Sequence, residues 1–188
     1  LATVGSDTIY ALIGGSTAGF WKYTISTDSW THLASTTASI GSGGALVAAD
    51  SDTLYALRGD GFNSFYKYTI STDTWSSLTN TPTTRSSGGS LVFIDSNTLY
   101  ASRGWGTPTI WKYNISSPGW SYMASTTYNI TTSGSMVSVG SSKIFTTHGG
   151  GTAYFSELSS YKTSGTSTSA VIDMGGTSDF TTLGYSTT

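Results

Sequence analysis

Apolar and aromatic side chains return along this chain at a fixed step of 45 residues. Tyr10, Tyr55, Tyr100 and Phe145 fall at that interval, as do Tyr23, Tyr68 and Tyr113, the set Trp30, Trp75 and Trp120, and the set Gly14, Gly59, Gly104 and Gly149. Leu1, Leu46, Leu91 and Met136 open the successive units. The stretch from Lys22 to Asp28 recurs unchanged from Lys67 to Asp73. Self-similarity at this period marks a stack of supersecondary units, each of which needs a neighbour to bury its apolar face.

Within a unit the pattern predicts four short strands. In the second, Gly44 to Ala49 is small and apolar, which suits an innermost strand crowded near an axis. Asp50-Ser51-Asp52 turns the chain into a strand from Thr53 to Gly59, and Gly59-Asp60-Gly61 marks a loop. From Ser64 to Ile70, Phe65, Lys67 and Thr69 alternate with Tyr66, Tyr68 and Ile70, the period of a two-faced strand. Ser71 to Thr74 turns again, and Trp75 to Leu78 is the outer strand. No stretch holds a helical period, so the fold class is all-β.

These residues resemble the kelch repeat. Its pattern is a strand ending in paired glycines, then a spaced Tyr, then a Trp about seven residues on; here that is Ile9 to Gly15, Tyr23 and Trp30. The second unit keeps Leu54-Tyr55, Gly59, Tyr68 and Trp75, and the third keeps Leu99-Tyr100, Gly104, Tyr113 and Trp120. It departs where the second glycine is Asp60 or Trp105. The Arg that often precedes a kelch inner strand occurs only as Arg85, with Ile40 and Ile130 at the equivalent places. The resemblance implies a β-propeller of four-stranded antiparallel blades, at residues 1–45, 46–90, 91–135 and 136–160. Kelch propellers are mostly interaction scaffolds, with a minority of oxidases and other enzymes.

The fourth unit starts regularly and then decays. Gly165 stands where Trp is expected, and residues 161–169 read as a Ser/Thr/Gly linker. Beyond it, Ala170 to Gly176 and Phe180 to Tyr185 read as further strands. Residues 170–188 supply either the outer strand of the last blade or the opening of a β-sandwich module like those of bacterial surface proteins. The start at Leu1, already inside an inner strand, is expected of a piece of something longer.

Composition narrows the setting. The 188 residues include 34 serines and 34 threonines but only eight Lys and Arg, with a formal net charge of −2. That balance argues against nucleic acid, which needs clustered cations, and no apolar run is long enough to span a bilayer. The absence of Cys excludes thiol chemistry, disulfides and Cys-ligated metals. Few charges and many hydroxyls favour the outside of a cell or its surface.

Candidate chemistry is sparse. The two histidines, His32 and His148, lack partners at metal-ligand spacing; His32 is expected to face solvent and His148 to be an ordinary strand residue. Asp7, Asp28, Asp52, Asp73 and Asp95 fall in predicted turns, where a carboxylate closes an Asx-turn; Asp50-Ser51-Asp52 lacks the remaining ligands of a calcium loop. A glycosidase would need two carboxylates facing each other across a cleft. Trp30, Trp75 and Trp120 are expected to pack between blades. Phe62 and Trp105 occupy the variable loops after the glycines and are the candidate ligand-binding residues, for stacking on a sugar ring or meeting a partner protein. Asn114-Ile115-Ser116 and Asn129-Ile130-Thr131 are sequons. Asn114 shares a strand face with Lys112 that is expected to be wet, which makes it the better glycosylation candidate; Asn129 is expected in a linker.

The sequence thus predicts a non-catalytic extracellular or cell-surface module for binding, adhesion or assembly. It has no catalytic, metal or cofactor site, and its partners are other chains, copies of itself included, or glycans. The alternative is a carbohydrate-active or oxidase-type propeller fragment.

Overall fold

The computed structural model describes residues 1–84, 87–141, 143–151, 154–159 and 171–173. Among them every regular element is a strand, and the strands form four antiparallel four-stranded sheets arranged as the blades of a β-propeller. The first blade is β1 (Ala2–Val4), β2 (Thr8–Leu12), β3 (Phe20–Thr24) and β4 (Ser29–His32). The second is β5 (Ala45–Ala48), β6 (Thr53–Leu57), β7 (Phe65–Thr69) and β8 (Thr74–Ser77). The third is β9 (Ser90–Asp95), β10 (Thr98–Ser102), β11 (Thr107–Asn114) and β12 (Gly119–Ile130). The fourth is β13 (Ser135–Val139), β14 (Lys143–Thr147), β15 (Tyr154–Ser159) and β16 (Val171–Asp173).

Each blade is a meander in which strands adjacent in sequence pair. The register repeats with the sequence: Tyr23 lies opposite Trp30, Tyr68 opposite Trp75, and Tyr113 opposite Trp120. In the fourth blade β16 pairs with Tyr154–Ser156 as the outer strand. The linker expected at 161–169, Gly165 in the Trp position, Arg85 and the strand expected at Phe180–Tyr185 lie outside the described residues.

The third blade differs from its neighbours because β11 and β12 run on past the usual ends, with Thr107 opposite Ile130. The first blade has the same pairing only as an isolated bridge, Thr17 to Ile40. Asn129, expected in a linker, therefore lies in a strand.

The inner strands stand side by side in chain order, β1 against β5, β5 against β9 and β9 against β13. Among the described residues no comparable contact joins β13 back to β1. A blade inside the array thus has a neighbour on each face, and both faces of its strands are apolar. Phe65 is buried toward the third blade, edge-on to Tyr113 and Trp120. Tyr66 and Tyr68, one residue out of phase, are buried with Phe20 and Leu54 toward the first. The same geometry corrects the face expected to be wet. On β11 Lys112 and Asn114 are half-buried, and Ile110 on that face is fully buried against the fourth blade.

Turns at the end opposite the loops of Phe62 and Trp105 are held by side-chain hydrogen bonds. Asp7 accepts hydrogen bonds from the backbone N–H and hydroxyl of Ser26 at 2.7 and 2.8 Å. Asp52 does the same for Ser71 at 2.6 and 3.0 Å, and Asn97 accepts from the Ser116 N–H at 2.7 Å. Each clasp ties the turn between a blade's first two strands to the turn between its last two.

Candidate functional site

The loops joining the second and third strands of the blades cluster at one end of the array. They start from a shared backbone contact. Gly59, Gly104 and Gly149 have positive φ, and a Cβ at any of them would collide with the backbone of the neighbouring linker, at Ser42, Ser87 and Thr132 respectively. The next residue also sits at positive φ and donates its N–H back to the same linker. Asp60 bonds Ser42 at 2.8 Å, Trp105 bonds Ser87 at 2.9 Å, and Gly150 bonds Thr132 at 3.0 Å. Beyond that point the side chain projects from the frame.

Asp60 has a structural reason to be there. Its carboxylate accepts from the Ser16 hydroxyl and from the Ser42 N–H, each at 2.8 Å, so one side chain joins the loop of the first blade to the linker entering the second. Gly41 lies beneath that carboxylate, where any Cβ would overlap it. Trp105 has no such reason. Its φ is 56°, it is 60% exposed, and its indole meets no partner among the described residues.

Phe62, two positions further along its loop than the place Trp105 holds in the next, is 45% exposed. The Arg58 guanidinium lies 3.4 Å from the centre of its ring, a cation–π contact that steadies the phenyl. Arg58 is steadied in turn by donating from Nε to the Ser39 carbonyl at 3.1 Å. Sequence reasoning missed this pair. The available signal was the position itself, which reads Ile13, Arg58, Arg103 and His148 in the four units.

His148 is fully buried. Its Nε2 lies 2.7 Å from the Ser156 hydroxyl, its Nδ1 has no hydrogen-bond partner among the described residues, and Tyr128 packs edge-on at 5.8 Å. It is closed off from ligand and sits at the loop end of a strand. His32 is exposed, against the edge of Trp21. The aspartates are occupied in turns: Asp28 and Asp73 accept from Tyr23 and Tyr68 at 2.6 Å, and Asp50 and Asp95 close Asx-turns onto Asp52 and Asn97. The Tyr68 hydroxyl and the Ala34 N–H hold the Asp73 carboxyl below its ordinary range. Burial first, then the Asp73 carboxylate, pushes the Tyr68 hydroxyl up. Among the described residues no group of three or more His, Asp or Glu is placed to hold a metal ion.

Exposure orders the two sequons differently from the sequence. Asn129 is exposed on β12. Asn114 is half-buried, and its Oδ1 accepts from the Ser116 hydroxyl at 3.2 Å and the Ser117 N–H at 2.8 Å, capping the turn.

Of the three repeat-locked tryptophans, Trp75 and Trp120 pack between blades as expected, and Trp30 does not. It is 55% exposed, on the face of the first blade turned away from the second. A shallow groove lined by Leu1, Ala2, Ile9, Leu46 and Val47 opens near the inner edge of that blade. No helix of the described residues is long and apolar enough to cross a membrane.

Comparison with known proteins yields a fold and no family. No protein-family model and no curated protein sequence matches the chain. Among solved structures, 171 chains match, so the architecture is widely shared and selects no function by itself. One of them, described as the structure of YjhT, aligns with a TM-score of 0.72 at 16% sequence identity over 95% of this chain. The present chain spans 66% of that one's length. The similarity is one of fold: β-propeller blades.

Proposed function

We propose that this chain is a kelch-like propeller working outside the cell as a non-catalytic binding module, with a glycan as the ligand of its loop face. Trp105 carries the proposal. A bulky side chain at positive φ is an outlier that costs roughly 1–2 kcal/mol, and an exposed indole returns nothing to the fold. Gly15 and Gly150 hold the same place without strain, and Asp60 offsets the strain with hydrogen bonds. Selection for stability does not account for Trp105; selection for contact does. Indole and phenyl rings supply broad, stiff surfaces for the apolar faces of sugars, and the surrounding hydroxyls supply polar contacts. The kelch reading is supported by the Gly, Tyr and Trp spacing and by the Tyr–Trp strand pairs. The extracellular reading is supported by the hydroxyl-rich, charge-poor composition.

The test is a glycan array followed by titration calorimetry with wild type, Trp105→Gly and Phe62→Ser. Trp105→Gly is expected to lose binding while its melting temperature holds or rises. Undiminished binding by that variant overturns the proposal. Turnover of any bound glycan by the wild type moves the chain to the carbohydrate-active class instead.

A further inference from the structure

The blades are polarised by charge along their strands. Asp7, Asp28, Asp50, Asp52, Asp73 and Asp95 stand in or beside the turns at one end, where hydrogen bonds occupy them. The opposite end carries the loops of Phe62 and Trp105, and the charged side chains described there are Arg58, Arg103 and Asp60. Asp60 is committed to Ser16 and Ser42, and among the described residues it makes no ion pair with either arginine. A chain of formal net charge −2 thus shows uncompensated cations at its loop end.

The two arginines hold one position of the repeat, at the foot of consecutive loops, but only one of them is employed. Arg58 has the Ser39 carbonyl at 3.1 Å and the Phe62 ring at 3.4 Å. Arg103 has neither. Thr107 stands where that ring would be, and it is drawn into β11 opposite Ile130. The Arg103 Nε is buried without a hydrogen-bond partner, and its guanidinium makes no ion pair among the described residues. The residue as a whole is half-buried, so part of it stays open to solvent. An unpaired buried donor opposes folding, whereas a guanidinium fork matches the two oxygens of a carboxylate. Only Gly104 separates Arg103 from Trp105, whose exposed indole also lacks a partner among the described residues. Two unemployed side chains, one cationic and one aromatic, therefore stand at the foot and the tip of one loop.

We infer that the ligand of the loop face is an acidic glycan, its carboxylate held by Arg103 while a sugar ring lies on Trp105. The inference rests on the glycan reading above and narrows it to one chemical class. Arg58 adds attraction at longer range, its own contacts being already made. The turn end, lined with aspartates, repels the same ligand, so the charge pattern directs it to the loops.

The test is an array of neutral, carboxylate-bearing and sulfated glycans probed at low salt, then calorimetry on the best hit. Carboxylate-bearing glycans are expected to lead. Reducing the carboxyl group of the best one to an alcohol should cost at least about tenfold in affinity. Raising NaCl from ~50 to ~500 mM should weaken binding of the acidic form and spare the reduced one. Both measurements use the unaltered protein. Arg103→Gln should lose binding to a similar degree while its melting temperature holds or rises. Arg103→Lys should restore only part, because a point charge lacks the fork. Neutral glycans bound as tightly as acidic ones, or Arg103→Gln binding like wild type, would overturn the inference and leave the Trp105 glycan site standing. Sulfated hits without carboxylate-bearing ones would likewise overturn it. No bound glycan at all removes both readings, and binding to a poly-glutamate peptide instead moves the face to acidic protein partners.

Discussion

The indole N–H of Trp75 donates to the carbonyl of Ala34 over 2.9 Å, tying the outer strand of the second blade to the linker that leaves the first. Trp30, the same residue one repeat earlier, meets no carbonyl among the described residues. Replacing Trp75 by Phe keeps a ring but leaves that carbonyl unpaired, and should cost about 1–2 kcal/mol. Trp30→Phe should stay within about 0.5 kcal/mol of wild type. Urea unfolding of the two variants side by side measures the difference.

The repeat also makes its own substitution series at the turn clasp. Asp7, Asp52 and Asn97 hold equivalent places and accept equivalent N–H groups. Asp52→Asn should therefore be nearly neutral. Asp52→Ala, which strands the N–H and hydroxyl of Ser71, should lower stability by about 1 kcal/mol. Equal losses for both variants would show that the charge, rather than the acceptor, holds the turn.

Two glycines of one loop should respond very differently to alanine. At Gly61 there is open space around the added methyl, so only the positive φ opposes it, at about 1 kcal/mol. At Gly59 the methyl also overlaps the Ser42 carbonyl and the Gly44 nitrogen. The second blade must then part from its linker, and a loss of at least about 2–3 kcal/mol is expected. Thermal melts of Gly59→Ala and Gly61→Ala check the order.

Stability should fall at both ends of the pH scale through the Tyr68–Asp73 pair, on the acid side chiefly by their hydrogen bond and on the alkaline side first by the burial of Tyr68 and then by that bond. The Asp73 carboxyl is held low, so the folded form resists protonation. The stability this confers is whole above the unfolded value near ~4 and is lost as pH falls through the lower folded one. The Tyr68 hydroxyl is pushed up, so its contribution is whole below ~10 and is lost as pH rises above that. Urea midpoints measured across pH should show the acid limb flattened in Asp73→Asn and the alkaline limb flattened in Tyr68→Phe.

The blade was legible in the sequence because its determinants are local or periodic. Tyr68 and Trp75 announce a strand pair, and Asp52 announces a turn. Burial was less legible because it depends on whether a neighbouring blade exists. Trp30 and Trp75 look alike in sequence, yet one lies open and the other is covered. The face shared by Ile110, Lys112 and Asn114 looked wet because alternation reports two faces without reporting what covers each. At the loop end Phe62 and Trp105 stood out as aromatics without counterparts. The Arg58 contact and the Asp60 bridge to Ser16 did not, because both are set by where the chain folds back on itself.

Gly59, Gly104 and Gly149 also divide each unit into two regimes of permissible change. Up to the glycine, backbone lies against backbone, and nearly any mutation disturbs a neighbour. Past it the next residue's N–H is still tied to the linker, but the side chains are turned outward until the loop closes, where Arg58 bonds Ser64 and Arg103 bonds Thr109 through the main chain. Between those two fixed points the four units already differ most, with Asp60, Phe62 and Trp105 each appearing once. The frame therefore acts as a chassis whose tips can be rewritten by drift or by grafting, one blade at a time, while the load between blades is carried elsewhere.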